Sequence, residues 1–434
     1  MKKIYPATAQ RDNRGRLRVA DIDLGDLAHK YGTPLYIYDS STVVQHANLL
    51  KNALARFYPG SSEVTYAAKA YFSLGIAKKL AQLGLGVDVV SRGELKIALM
   101  AGFPPDRIHL HGNNKSEEEI LLGLRQGIHA IVADSLEELV LINRLADSEG
   151  KIAPVWVRIT PGVKAGGHAY LQTAHHASKF GVSILDGQAQ QALEIVRSSR
   201  YLNLLGLHMH LGSQIFDPQN YSEALEVIFT LADQAPSPLQ EISPGGGWGV
   251  PYIPGDPETN PEDWVATVAG TVVSLCDQRG WRLPKLVLEP GRFLVARAGM
   301  ALYTVGATKV TGEGIHIVSL DGGIADNPRP ALYQARYTAT LVERLDSAPL
   351  KPTALVGKFC ESGDQLIPQI EFPAVNRGDL VAIPVAGAYQ LSMASNYNLA
   401  ERPAVLWLED GKEELLQPRE SAEENSWWLG ESKV

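Results

Sequence analysis

Lys69 closes the run Val64-Thr65-Tyr66-Ala67-Ala68-Lys69, in which small and apolar residues lead straight into an amine. On a buried strand a cationic lysine would be costly to desolvate. It becomes tolerable when the amine is neutral or condensed with a carbonyl as a Schiff base. The plainer alternative is a lysine that snorkels or pairs at a strand end. Gly245-Gly246-Gly247-Trp248-Gly249 offers backbone free of side chains, whose N–H groups could wrap a phosphate. It lacks the GxGxxG dinucleotide spacing and Pro251 interrupts it, so a tight loop is the alternative. Glu289 and Arg292 flank Pro290-Gly291. A carboxylate there could keep a heterocyclic nitrogen protonated, and the arginine could pair with a phosphate or a carboxylate. A protonated ring matters because it can take up the electrons of a carbanion. An ordinary Glu/Arg ion pair is the competing explanation.

His208 and His210 alternate along one segment and share a face, so one could stack on a planar ring. As a metal pair they lack the nearby carboxylates or histidines that such a site needs. Cys360, in Cys360-Glu361-Ser362-Gly363-Asp364, sits at a polar turn and could act as an acid or a nucleophile. A lone cysteine is otherwise structural, as expected for Cys276 in its helical surroundings. Tyr389 follows Ala386-Gly387-Ala388 and could donate its hydroxyl to a phosphate.

Bringing these residues together requires a strand framework. Strand-like runs at 64–69, 86–91, 107–112, 130–135, 155–160, 204–211, 239–243 and 285–289 alternate with helical patterns at 74–83, 93–101, 116–125, 135–147, 186–199, 221–234 and 261–279. The helices at 116 and 135 open with serine followed by glutamates, a capping pattern. Eight such units predict an α/β fold, a (β/α)8 TIM barrel, with an open sheet as the alternative. The candidate residues fall at the ends of the strands: Lys69, Asp88, His111, Arg158, His208, His210, Ser213, the glycines, Glu289 and Arg292. After residue 292 strand patterns at 301–310, 316–320, 354–357, 379–384, 404–409 and 413–417 predict a C-terminal all-β domain, which also takes in the N-terminal segment. The expected boundaries are 36–292 for the barrel, and 1–35 with 293–434 for the β domain.

The chain of 434 residues has 48 acidic and 40 basic residues, a net charge of −8. That balance leaves no electrostatic footprint for nucleic acid. Two cysteines form neither a disulfide framework nor a zinc spacing and suit a reducing compartment. The basic start lacks the apolar core of a signal peptide. The apolar stretch 293–310 is broken by Arg297 and glycines, so it reads as buried strands and not as a membrane span. A cytoplasmic protein without membrane or nucleic-acid partners is expected.

Taken together and in order, Tyr66-Ala67-Ala68-Lys69-Ala70, Asp88-Val89-Val90-Ser91-Arg92-Gly93-Glu94-Leu95, His208-Met209-His210-Leu211-Gly212-Ser213-Gln214, the three glycines, Glu289-Pro290-Gly291-Arg292, the Cys360 motif and Gly387-Ala388-Tyr389 resemble the alanine-racemase-type (fold type III) decarboxylases dependent on pyridoxal 5′-phosphate (PLP). His168–Ala174, Ser178-Lys179-Phe180-Gly181, Asp326-Asn327-Pro328-Arg329-Pro330-Ala331-Leu332-Tyr333 and Ser395-Asn396-Tyr397-Asn398 resemble the branch acting on meso-diaminopimelate. The resemblance implies decarboxylation of that compound to L-lysine. The alternatives are an ornithine- or arginine-type decarboxylase and a PLP carrier without catalysis.

The resemblance also implies roles. Lys69 would hold PLP as a Schiff base, His210 would stack on its ring, and Ser213 and Asp88 would lie beside it. Glu289 would bind the ring nitrogen. Gly245, Gly246, Gly247, Gly291, Arg292 and Tyr389 would surround the phosphate. Arg292, Arg329 and Tyr333 would engage the distal carboxylate of the substrate, with Glu361 near its distal amine and Tyr389 also in contact. Cys360 would be the catalytic acid, and Cys360 and Glu361 would reach the site of the other subunit of a homodimer. No metal is implied. One departure is Ile242-Ser243-Pro244, where the family often has Asp-Leu; Pro244 removes one N–H from the loop.

Overall fold

The run Ser62–Ala67 is buried from Val64 onward and starts a ring of parallel strands in a computed structural model of the chain. Residues 3–163, 178–346 and 349–423 are described. The eight barrel strands are Ser62–Ala67, Gly86–Val89, Ile108–Leu110, Ala130–Ala133, Ala153–Thr160, Leu202–His208, Glu241–Gly245 and Lys285–Leu288. Each pairs in parallel with the next; the eighth pairs with the first through Leu286↔Ser62 and Leu288↔Val64, which closes the ring. The barrel expectation therefore holds, and the open sheet is excluded.

The crossover helices start where serine can cap them. Ser91, Ser116 and Ser135 each accept a hydrogen bond from the backbone N–H of the glutamate three residues on, Glu94, Glu119 and Glu138. The helices Arg92–Ala101 and Glu117–Gln126 end on left-handed Gly102 and Gly127.

Polar side chains from opposite sides of the ring meet one another, which places them inside it. Near the strand starts, Glu241 accepts hydrogen bonds from His129 Nε2 at 2.8 and 2.9 Å and from Trp156 Nε1 at 2.7 Å. Lys285 pairs there with Glu63. Burial pushes the neighbouring His109 imidazole down to about 3, so it is neutral.

The chain divides into two units. The barrel unit is His46–Gly249 and Pro257–Phe293; the other is Met1–Gln45, Val250–Asp256 and Leu294–Val434. The second is sheet-rich. Its strands run Gln365–Pro373, Leu350–Val356, His316–Leu320, Gly299–Val310, Leu35–Asp39, Ala404–Glu409 and Lys412–Gln417 in spatial order, with Leu380–Pro384 also beside Gly299–Val310. Leu35–Asp39 is wholly buried between Gly299–Leu302, antiparallel, and Ala404–Leu408, parallel. The apolar stretch after residue 293 is a short helix, Arg292–Val295, followed by the long strand Gly299–Val310. Among the described residues no helix is long and apolar enough to cross a membrane.

Candidate active site

The first barrel strand stops at Ala67, and Lys69 stands in a one-turn helix, Ala68–Ala70, with its side chain exposed. The expected desolvation cost of this lysine therefore does not arise; its amine is reachable from solvent. Tyr66 fixes the turn, its hydroxyl donating to the Tyr71 carbonyl at 2.7 Å and accepting from the Tyr71 N–H at 3.1 Å. Gly291 lies against this turn. A Cβ on it would sit 3.1 Å from Ala67 Cβ and 3.2 Å from Ala70 Cβ, so the loop after the eighth strand can pass only as glycine without a shift.

Glu289 is 6% exposed and follows the eighth strand. Its two carboxylate oxygens are taken separately: Oε2 by His208 Nε2 at 2.9 Å, Oε1 by the Ser243 hydroxyl at 2.7 Å. Burial opposes its charge, but the attraction of His208 and the hydrogen bonds from His208 and Ser243 outweigh this and hold the carboxyl well below the usual range. Asp88, buried beside it, goes the other way. Burial and the negative charge of Glu289 push Asp88 well above the usual range. His111 Nε2 lies 3.5 Å from Asp88 and 3.9 Å from Glu289, and burial keeps its imidazole well below its ordinary value.

His111, His208 and Glu289 each offer a ligand atom within 4.8 Å of the others. The further metal ligands that His208 lacked in its own segment thus come from two other strand ends, a convergence that local spacing does not reveal. Both oxygens of Glu289 are already hydrogen-bonded, so a cation would have to displace those donors.

His210 lies past the end of the sixth strand and is half-buried. Burial, then the charges of Lys69 and Arg158, hold its imidazole well below its ordinary value. Neutral His210 can present its ring to a planar group. Its Nδ1 is 3.4 Å from the Gly246 N–H, while the Gly245 N–H donates to Ser243 at 3.1 Å. Both loop N–H groups are thus engaged by protein atoms in this structure. The glycines are required by crowding. A Cβ at Gly246 would lie 2.0 Å from the Glu289 carbonyl oxygen, and one at Gly247 2.2 Å from that of Gly212. Arg292 is buried and donates to Ser213 Oγ at 3.0 Å. Arg158 lies 4.5 Å over the Phe180 ring, and the Gly181 N–H donates to Asp134 at 2.9 Å, which draws the Ser178–Gly181 motif to the same rim. His168–Ala174, with His175 and His176, lies outside the described residues.

The remaining candidates belong to the sheet-rich unit. Arg329 is 6% exposed and has no carboxylate partner among the described residues; its guanidinium donates to the Tyr337 hydroxyl and lies 4.6 Å over the Tyr252 ring. Burial opposes its charge, but Tyr252 and Tyr337 offset this and hold it fully cationic. Tyr333 ends the same short helix and is exposed. Cys360 is exposed, and its carbonyl accepts from the Tyr397 hydroxyl at 3.0 Å. Beneath it Asp364 accepts the N–H groups of Ile324 at 2.6 Å and Phe359 at 2.9 Å, which pins the loop and leaves Glu361 at its exposed tip. Tyr389 is half-buried with a left-handed φ of 62°.

Residues 40–296 match the family described as pyridoxal-dependent decarboxylase, pyridoxal binding domain. The chain belongs to the pyridoxal-dependent decarboxylases. Among its relatives, diaminopimelate decarboxylase of Bacillus subtilis is 41% identical, covering 96% of each chain. The solved diaminopimelate decarboxylase of M. jannaschii in complex with L-lysine superposes with a TM-score of 0.89 at 33% identity, over 95% of each chain. A Vibrio vulnificus lysine/ornithine decarboxylase bound to putrescine is more distant, with a TM-score of 0.74 at 25% identity, covering 89% of this chain and 97% of that one. The rim of this decarboxylase fits PLP. An aldehyde needs a reachable amine, which Lys69 offers. A ring nitrogen needs an ionised carboxylate, which Glu289 is. A phosphate needs a cation, which Arg292 supplies.

Proposed function

We propose that the protein decarboxylates meso-2,6-diaminopimelate to L-lysine and CO2 with PLP. The observation that carries the substrate is similarity over nearly the whole chain to diaminopimelate decarboxylases, one of them solved with L-lysine. Arg329 supports it independently: a buried guanidinium without a carboxylate partner among the described residues suits a substrate whose distal end brings one, whereas ornithine and arginine bring a cation there.

When bound, PLP supplies the electron sink as CO2 departs. Lys69 would hold the cofactor through its exposed amine. Glu289, kept ionised, holds a proton on the ring nitrogen. His210 would stack on the ring, with Asp88 and Ser213 beside it. Gly245, Gly246, Gly247, Gly291, Arg292 and Tyr389 line the phosphate, with Arg292 the charged donor. Arg292, Arg329, Tyr333 and Tyr389 orient the distal end of the substrate, and Glu361 meets its distal amine. Cys360 delivers a proton to the α-carbon. Cys360 and Glu361 act in the neighbouring subunit of a homodimer; their exposure on a pinned loop supports this. Two free thiols suit the cytoplasm.

The test is CO2 release by the purified protein from meso-diaminopimelate, ornithine, arginine and lysine. Turnover confined to meso-diaminopimelate is expected. Preference for ornithine overturns the substrate, and no release from any of them leaves only a PLP carrier.

A further inference from the structure

Glu289 is held more tightly than a ring-nitrogen ligand alone requires. The Ser243 hydroxyl is its neighbour on one side, and the single hydroxyl proton can go only one way. The Gly245 N–H already donates to Ser243 Oγ, so the hydroxyl proton is directed at Glu289 Oε1. His208 is the neighbour on the other side. Among the described residues its Nδ1 has no hydrogen-bond partner, which places its proton on Nε2, facing Glu289 Oε2. The plane of the His208 ring is set by Trp156, stacked at 6.3 Å and 12°, and by His111, edge-on at 4.9 Å. His208 and Ser243 are 1% and 0% exposed, so water does not compete for either bond.

We propose that His208 and Ser243 are positioning residues that clamp Glu289 as an oriented carboxylate for the ring nitrogen, and that Ser243 ties this carboxylate to the glycine loop. The proposal rests on the reading of Glu289 above. It also gives the departure at Ser243-Pro244 a purpose. The aspartate that the family often carries there would add a further carboxylate beside Asp88 and Glu289, whereas serine accepts from the loop and donates to Glu289 at once. The groups facing Glu289 are Asp88, His111 and His208, with the charges of Lys69 and Arg158 close by. Of these groups only His208 lies within hydrogen-bond distance of the carboxylate, at 2.9 Å, and the Ser243 hydroxyl at 2.7 Å is the other donor.

The test compares Ser243→Ala, His208→Leu, His208→Gln and Glu289→Gln. The readouts are the PLP dissociation constant, the pH dependence of the absorbance of the bound cofactor, kcat and KM. Ser243→Ala and His208→Leu are expected to weaken PLP binding, to move the spectral transition to lower pH by about one unit, and to lower kcat about tenfold with KM nearly unchanged. His208→Gln, which keeps an N–H donor, should recover most of the loss. If Ser243→Ala and His208→Leu lower Tm but leave the spectral profile and PLP affinity intact, the two residues are merely structural and the clamp is refuted. If Glu289→Gln itself leaves the profile unchanged, the reading of Glu289 fails, and the clamp with it.

Discussion

At the scale of single residues, buried carboxylates carry the clearest consequences. Asp326 accepts hydrogen bonds from the Tyr36 and Tyr303 hydroxyls at 2.9 and 2.5 Å and from the Gly323 N–H at 2.8 Å. Burial nevertheless pushes it up to about 6. Its folded pKa thus exceeds its unfolded one, so its contribution is full below about pH 4 and is lost as pH rises through about 6. Asp326→Asn should remove this term. Urea unfolding at pH 4 and pH 7 should show the wild type losing, relative to the variant, on the order of 3 kcal/mol across that interval. In the sheet-rich unit, Arg329→Met should raise KM for meso-diaminopimelate by about 100-fold, since it deletes a buried charge-assisted contact; steady-state kinetics check this. Lys69→Ala should abolish the visible band of the bound cofactor. The candidate residues of the barrel were legible because they lie in or just past strands that their own neighbours predict. Their pairing was not: His111, Ser243 and Asp88 converge on Glu289 from three other strand ends, and nothing in the local sequence of Glu289 points to them.

At the scale of elements, serine–glutamate caps organise three successive crossover helices. The third residue of each helix also reaches back: Glu94 accepts the Val90 N–H at 2.7 Å, Glu119 that of Ser116 at 2.9 Å, and Glu138 that of Asp134 at 2.8 Å, while Glu138 also pairs with buried Lys115 at 2.9 Å. Ser116→Ala should cost about 1 kcal/mol in urea unfolding without changing kcat. Gly246→Ala should be far more damaging, because its Cβ meets backbone and not a movable side chain; loss of PLP binding is the measurable outcome. Barrel strands were readable from short apolar runs between capped helices. The strand Gln365–Pro373 was not, because Pro368 and Pro373 speak against a strand interior. Leu35–Asp39 was hidden for a different reason: its partners lie hundreds of residues away, and a lone five-residue apolar run carries no sign of them.

At the scale of the whole molecule, the proposed homodimer makes a sharp prediction. If Cys360 serves the neighbouring subunit, Lys69→Ala and Cys360→Ala chains, each inactive alone, should regain activity when dissociated and reassembled together. Random pairing makes half of the dimers mixed, each with one intact site of two, so about a quarter of wild-type activity is expected. No recovery would mean that Cys360 works beside Lys69 of its own chain.

The central strand Leu35–Asp39 has a consequence for how the chain is made. It leaves the ribosome long before either partner, with two hydrogen-bonding edges, four of its five residues apolar or aromatic, and nothing to pair with. Its antiparallel partner comes only at Gly299–Leu302 and its parallel partner only at Ala404–Leu408. At ordinary rates of synthesis that is a wait on the order of tens of seconds. Throughout it the nascent chain exposes the kind of edge that recruits other chains. Translation speed and chaperone supply, and not the stability of the finished fold, should therefore govern how much enzyme a cell recovers.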